Sequence, residues 1–243
     1  MFDALTHSVI IDRYQFAGEL VKDKRVIEVG PGAGFGIEYL SELASLYRAI
    51  EFSSQNVALL KSQDIGNAEI FLGDAHDIPY HDKSFDVVLA LAMIYYLSFE
   101  SFLDEVNRCL SDKGLLFFCT SNKDVPGFCA ASGTTRYYSI PELHRLLTKH
   151  GFSAEFYGAF PCAEGNLLKR KVIAKLKNML KALIQTTDIG HTLWRGVRRK
   201  SLGKHSPLPN KITKEHFSEI PRYLLDSSQC NHTFRVIYVI AQK

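Results

Sequence analysis

The chain has 243 residues, 46% apolar and 23% charged, enough for one large core or for one domain with an insertion. No window of 18 apolar residues occurs, so no spanning helix is expected, and the first ten residues carry Asp3 with no base ahead of their apolar positions, which argues against a secretory signal. Cys109, Cys119, Cys129, Cys162 and Cys230 form an odd set without a C-x-x-C pair; they predict reduced thiols, a cytoplasmic location and no metal site of the structural zinc kind. The net charge of +3 is unevenly spread. Residues 165–204 hold 11 lysines and arginines against one acid, a net +10, and the remainder holds 18 bases against 25 acids, a net −7.

In chain order, Ile10, Tyr14, Ala17, Leu20 and Val21 recur at rough helical spacing and predict a leading helix. Val26-Ile27-Glu28-Val29 reads as a buried strand. Gly30, Gly32, Gly34 and Gly36 follow at alternate positions, and Ile37, Tyr39, Leu40, Leu43 and Leu46 continue with helical spacing. Glycines permit positive φ and let a ligand approach bare backbone. A helix opening beyond them offers unpaired amides to an anionic group. The dinucleotide pattern G-x-G-x-x-G is not met, because its third glycine would be residue 35, which is Phe35.

Residues 48–53 read as a strand ending in an acid, Glu51, which lies 21 positions after Gly30. At that spacing the second strand of a doubly wound sheet offers a carboxylate to two ribose hydroxyls, each accepted as a charge-assisted hydrogen bond. A helix is predicted over residues 55–63, a third strand closing on Gly73-Asp74-Ala75, and a turn with Pro79 before a fourth strand ending near Leu91. Phe102, Leu103, Val106, Cys109 and Leu110 form a helical stripe with a stop at Gly114. Residues 115–120 are the fifth strand, followed by a Gly/Ser/Thr/Ala-rich loop over 123–136. Ser139, Pro141 and Glu142 make a capping box for a helix that stops at Gly151. Residues 152–160 are the sixth strand and 234–240 the last.

Roughly 70 residues separate those two strands, far more than a hairpin needs. Leu168, Val172, Leu176, Met179, Leu180 and Leu183 predict a basic amphipathic helix with lysines on its other face. Residues 189–203 are basic around Trp194, residues 206–209 read as a turn, and Thr213 opens a short helix. Either this insertion is a helical cap with solvated lysines, or it recognises something anionic.

The run Glu28-x-Gly30-x-Gly32-x-Gly34, then Glu51, Gly73-Asp74-Ala75 and Ser84-Phe85-Asp86-Val87-Val88, spans about 60 residues. In that order it resembles class I S-adenosylmethionine-dependent methyltransferases of the type 11 kind, found in glycan and natural-product pathways. Arg13-Tyr14-Gln15-Phe16-Ala17 resembles the R-Y-x-F-A segment of the same group, where the leading helix lies over the donor. The resemblance implies an α/β fold, a doubly wound, seven-stranded, mostly parallel Rossmann-like sheet whose last strand is antiparallel. It implies a methyltransferase domain over 1–160 plus 233–243; the segment 161–232, which the resemblance does not cover, reads from its own pattern as a basic helical insertion capping the acceptor side. The resemblance also implies S-adenosyl-L-methionine as cofactor. Glu28 would face the amino end of its methionine, Gly30, Gly32 and Gly34 would pass beneath, and Glu51 would grip the ribose. Asp74 would meet the adenine amino group beside Ala75, with Tyr14, Phe52 and Leu91 completing the site.

The pattern departs from the family at Tyr95-Tyr96, where many relatives show Glu-His, so a histidine near the transferring methyl is not carried over. Tyr96 and His76 are the candidate catalytic groups, and Tyr95, Asn122 and Arg136 the candidate acceptor contacts. The exit Ser121-Asn122-Lys123 resembles the family's T-P-N without its proline. Ala90-Leu91-Ala92-Met93 lacks the Asn/Asp-Pro-Pro-aromatic run, which disfavours methylation of a base amino group. The reading is O-methylation of a small hydroxylated metabolite, sugar or natural-product intermediate by in-line transfer. The alternatives are RNA or tRNA methylation through the basic insertion, and a non-catalytic donor-binding protein. Nucleic acid is disfavoured as a partner, and a weak contact with an anionic surface through 165–204 stays open.

Overall fold

The computed structural model describes residues 4–63, 65–162 and 211–243. Helix α1 (Ala4–Val21) leads into β1 (Arg25–Val29), α2 (Ile37–Leu43), β2 (Leu46–Glu51), α3 (Ser54–Lys61), β3 (Glu69–Leu72) and β4 (Phe85–Leu91). Then come α4 (Phe99–Cys109), β5 (Leu110–Ser121), α5 (Ile140–Lys149), β6 (Ser153–Pro161), β7 (Tyr223–Leu225) and β8 (Phe234–Gln242). The strand order is β3-β2-β1-β4-β5-β8-β6-β7. Neighbours from β3 through β5 pair in parallel, and β8 runs antiparallel between β5 and β6. The strand order reverses between β1 and β4, the point where an open sheet of this kind leaves a crevice beyond its carboxyl ends.

Both faces of the sheet are covered, so its central strands are apolar on both sides. Successive residues go to opposite faces: Phe118 joins Phe99, Phe102 and Leu143 from α4 and α5 in one core, whereas Phe117 joins Tyr14, Leu40 and Leu60 from α1, α2 and α3 in the other. The capping box of α5 is formed, with the Ser139 N–H donating to Glu142 Oε2 at 2.7 Å. Gly151 ends that helix at φ 84.

Three sequence expectations need correction. The sheet has eight strands, the eighth being β7, a three-residue edge strand paired antiparallel to β6. Leu46 belongs to β2 and not to the helix after the glycines, because Ala44 turns extended and Leu46 pairs with Arg25 of β1. The stop after α4 is not at Gly114: Leu110 passes directly into β5, and the irregularity falls at Lys113, with φ 63, inside the strand. The short helix expected from Thr213 is present as a single 3-10 turn, Lys214–His216, with Thr213 at its N-cap. The amphipathic helix expected over 168–183 and the basic stretch to 204 lie outside the described residues.

The return from that stretch packs onto the body. The Ile212 N–H donates to the Phe35 carbonyl at 2.9 Å, Phe217 meets Tyr39 edge-on at 4.9 Å, and Lys211 pairs with Glu38 at 2.7 Å. Arg222, just before β7, reaches Asp12 of α1 at 2.7 Å and Glu19 at 3.2 Å while lying 4.0 Å over the Phe16 ring. Asp12 is 1% exposed, and its other oxygen accepts from the Tyr238 hydroxyl at 2.5 Å. Removing one partner of a buried pair leaves a charge without compensation. Arg222→Met is therefore expected to cost about 3 kcal/mol in urea unfolding, and the double variant with Asp12→Asn to recover most of that loss; a loss below about 1 kcal/mol would contradict it.

Candidate active site

A cavity of about 600 Å³ opens at the carboxyl ends of β1 to β4. Its floor is the glycine turn. Gly30 and Gly32 sit at φ 67 and 61, in the left-handed region that favours glycine. The Gly30 N–H is pinned to the Ile50 carbonyl at 2.8 Å, and a Cβ added at Gly32 would meet nothing within 4 Å, so that backbone faces open space. Glu51 reaches the same floor from the end of β2. Its carboxylate accepts the Gly32 N–H at 3.0 Å and the Ser53 N–H at 2.8 Å. Phe52, 79% exposed, stands next to it. Leu91 and Ala92 close the β4 side, and Ala92 is a non-glycine residue at φ 61, its N–H held by the Cys119 carbonyl at 3.1 Å.

Asp74 and Ala75 line the far end, past β3. Asp74 accepts from the His76 backbone N–H at 2.9 Å and faces His76 Nδ1 at 2.6 Å. That backbone bond, with the side chain behind it, holds the Asp74 carboxyl below its ordinary range. His76 Nε2 is buried without a partner among the described residues. His76 and Tyr96 both line the cavity, but His76 lies by β3 with Asp74 while Tyr96, half exposed, follows β4.

Glu28, Tyr14 and Gly34 lie behind the turn and not on the cavity wall. Glu28 is fully buried; the Tyr47 hydroxyl donates to one oxygen and the Tyr14 hydroxyl, at 3.4 Å, to the other. Burial pushes the Glu28 carboxyl up to about 7, against the hydroxyl of Tyr47 and the charge of Arg13. At Gly34, φ 76, a Cβ would run into Leu60. Arg13 lines the cavity, and its Nε is buried without a hydrogen-bond partner among the described residues. Sequence reasoning singled out Tyr14 rather than this neighbour; the only signal for Arg13 was its place in the quoted segment.

The acceptor-side candidates are dispersed. Tyr95 lines a second cavity of about 440 Å³, with its ring 4.9 Å from that of Tyr96. Asn122 also borders that cavity, but its amide works as a clamp: Nδ2 donates to the Asn231 and Phe234 carbonyls at 2.8 Å each, and Oδ1 accepts the Asp124 N–H at 3.0 Å. Arg136 lines neither cavity; it pairs with Glu142 at 2.7 Å and lies 4.9 Å from the Tyr138 ring centre. Among the described residues no group of histidines, cysteines and acids could hold a metal, and no helix is long and apolar enough to cross a membrane.

Residues 27–118 match the methyltransferase domain family. Over those residues the chain resembles that family, and its fold is the one shared by solved S-adenosylmethionine-dependent methyltransferases. It is similar to the fatty-acid O-methyltransferase of Mycolicibacterium smegmatis, 34% identical over 131 residues that cover 52% of this chain and 43% of the relative. It is also similar to phthiotriol/phenolphthiotriol dimycocerosates methyltransferase 1 of Mycobacterium ulcerans, 33% identical over 99 residues, 39% of this chain and 36% of the relative. The matches thus span less than half the length of these curated relatives. A solved S-adenosylmethionine-dependent methyltransferase from Archaeoglobus fulgidus shares the fold, with a TM-score of 0.61, 12% identity and coverage of 98% of this chain and 94% of that one.

The raised Glu28 carboxyl has a consequence for stability. The folded protein keeps this proton to about pH 7, whereas an unfolded chain loses it near 4.5. Between those values the folded state binds the extra proton, so stability falls as pH rises and levels off above about 7. The loss is on the order of 3 kcal/mol for a shift of this size. Glu28→Gln is expected to flatten the decline in unfolding free energy between pH 5 and 8; an equally steep decline in the variant would refute the assignment.

Proposed function

We propose that the chain transfers the methyl group of S-adenosyl-L-methionine to an oxygen of a small-molecule acceptor. The observation that carries this reading is the cavity at the β1/β4 crevice, floored by bare glycine backbone with Glu51 reaching into it. The chemistry-bearing residues follow the order of the sheet. Asp74 and Ala75, at the β3 end, suit the adenine, with Phe52 against the ring. Glu51, at the β2 end, suits the ribose hydroxyls, since each oxygen now holds one backbone N–H and keeps a lone pair to accept more. Gly30 and Gly32, at the β1 end, run under the methionine tail. Arg13, on the cavity lining with its Nε free of a hydrogen bond, fits its carboxylate. Glu28, Tyr14 and Gly34 set the shape of the turn from behind.

When bound, the cofactor supplies an electrophilic methyl on a cationic sulfur. The chain contributes position and dryness. Leu91, Met93 and Leu97 wall the β4 end with apolar surface and exclude water, and alignment of acceptor and donor provides the larger part of the rate. The names of the curated relatives favour an acceptor with a substantial apolar body over a free sugar. Tyr96, on the wall beyond Met93, is placed to touch it.

Calorimetry is expected to show one-to-one binding of both S-adenosylmethionine and its homocysteine product. Glu51→Ala should weaken that binding roughly 10- to 100-fold with the fold intact by circular dichroism. Absence of heat with either ligand on folded protein would refute the proposal.

A further inference from the structure

The sequence pattern made His76 a candidate catalytic group, and its geometry suits a different task. Asp74 and His76 line the larger cavity in the turn after β3, the strand two places from the β1/β4 crevice. That turn is closed by the Asp77 N–H, which donates to the Asp74 carbonyl at 3.1 Å in an isolated antiparallel bridge. Inside it, His76 approaches a single oxygen twice. Its backbone N–H donates to Asp74 Oδ1 at 2.9 Å, and its ring Nδ1 lies 2.6 Å from the same atom. The carboxyl is held below its ordinary range, chiefly by the backbone bond, so it is an anion with no proton to give. Nδ1 is therefore the donor of the second bond.

This arrangement takes His76 out of acid–base work. Nδ1 spends its proton on Asp74, and Nε2 is shielded from solvent. A base must reach the proton it removes, and the ends of β2 and β1 stand between this turn and the apolar β4 wall. Asp74 is in the opposite situation. Its Oδ1 is taken twice, but Oδ2 accepts no hydrogen bond among the described residues, and the side chain remains 50% exposed. His76 is the only residue among those described that hydrogen-bonds the carboxylate. The free oxygen of an anion attracts an N–H and repels a carbonyl. At this end of the cavity that difference separates a 6-amino purine from a 6-oxo purine.

We propose that His76 is a positioning residue that fixes the rotation of the Asp74 carboxylate, and that the pair makes the site select 6-amino over 6-oxo purine nucleosides. The inference rests on the donor reading above and deepens it at the base end. Two donors on Oδ1 leave the carboxylate one orientation, with Oδ2 presented for a charge-assisted bond to the exocyclic amine. Without the ring donor a single backbone N–H remains, and the group can turn about its Cβ–Cγ bond. The order that the site holds in advance would then have to be supplied at binding.

The test is calorimetry on the full chain with two probes, S-adenosylhomocysteine and its deaminated form S-inosylhomocysteine. The unchanged protein is expected to bind the adenosyl probe about 10-fold or more tighter. His76→Phe and His76→Ala both lack the ring donor and should cut that ratio to about 3-fold or less, by weakening the adenosyl probe. His76→Asn carries an N–H on the atom that corresponds to Nδ1 and should restore most of the ratio. General damage to the turn would weaken both probes alike and leave the ratio unchanged. Equal binding of the two probes by the unchanged protein would overturn the inference, as would a full ratio in a folded His76→Phe or His76→Ala; either result leaves the donor reading standing. Failure of both probes to bind folded protein would overturn the two together.

Discussion

One buried carboxyl group holds the site's scaffold together. Glu28 ends the apolar part of β1 and has no access to water. The Tyr47 hydroxyl reaches it from β2 and the Tyr14 hydroxyl from α1, so three elements converge on one side chain. A buried carboxyl is tolerated only with such partners or with its proton kept, and here it uses both. The result ties β1, β2 and α1 together just before the glycine turn, and the Tyr14 ring lies against Gly36 at the turn's far end. The turn needs that support, because its glycines contribute no side chains and Gly32 faces open space. Glu51 completes the support from the other side by accepting the Gly32 N–H. The turn is therefore held between two carboxyl groups, one hidden and one reaching into the cavity.

The parallel sheet converts this local arrangement into a linear array of binding surfaces. Strands β3, β2, β1 and β4 end side by side, and each end presents one kind of chemistry: an acid beside a small residue, an acid alone, bare backbone, then apolar wall. An extended ligand with a polar base, a diol, a zwitterionic tail and a reactive cation between them matches that sequence of surfaces. The order comes from topology, because the strand order reverses between β1 and β4 and opens the crevice there. The two tyrosines after β4 divide the crevice from the cavity off β5 and β8. Their packing, not a charged pair, occupies the place where the family pattern has Glu-His.

Much of the sheet's central region was legible because continuous apolar runs and the glycine series mark where the buried strands end. Gly30, Gly32, Glu51, Phe52, Asp74, Ala75 and Leu91 line one cavity; spacing pointed to Glu51 and the glycine turn, and the family resemblance implied the others. Other features were illegible for physical reasons. Strand β7 has three residues and pairs along one edge only, too short for alternation to register. Gly114 looked like a helix stop because glycine after a stripe usually is one, yet Leu110 was already paired with Phe85 in the sheet. Asn122 has the polarity of a contact residue, and only the fold shows its amide spent on the Asn231 and Phe234 carbonyls. Arg136 was likewise a charge near the right loop, but Glu142 takes it.

Helix α1 shows why periodicity alone understated the site. Its buried residues include Ile10, Asp12, Tyr14, Phe16, Ala17 and Gly18, which do not form a single stripe. Each side meets a different neighbour. Asp12 meets Arg222 and Tyr238, Tyr14 meets Glu28, and Gly18 lies against the Tyr39 ring, where a Cβ would collide. Phe16 packs on Phe117 and Tyr238 beneath the Arg222 guanidinium. A helix surrounded in this way must carry polar groups inward wherever its neighbours offer polar partners, and the simple apolar stripe is lost. The same enclosure gives α1 its place in the mechanism. Between Asp12, tied to Arg222 and Tyr238, and Tyr14, tied to Glu28, Arg13 lines the cavity with its guanidinium 5.2 Å from the Tyr14 ring centre. Its place is thus bracketed by buried contacts on both adjacent residues, one to β8 and one to β1.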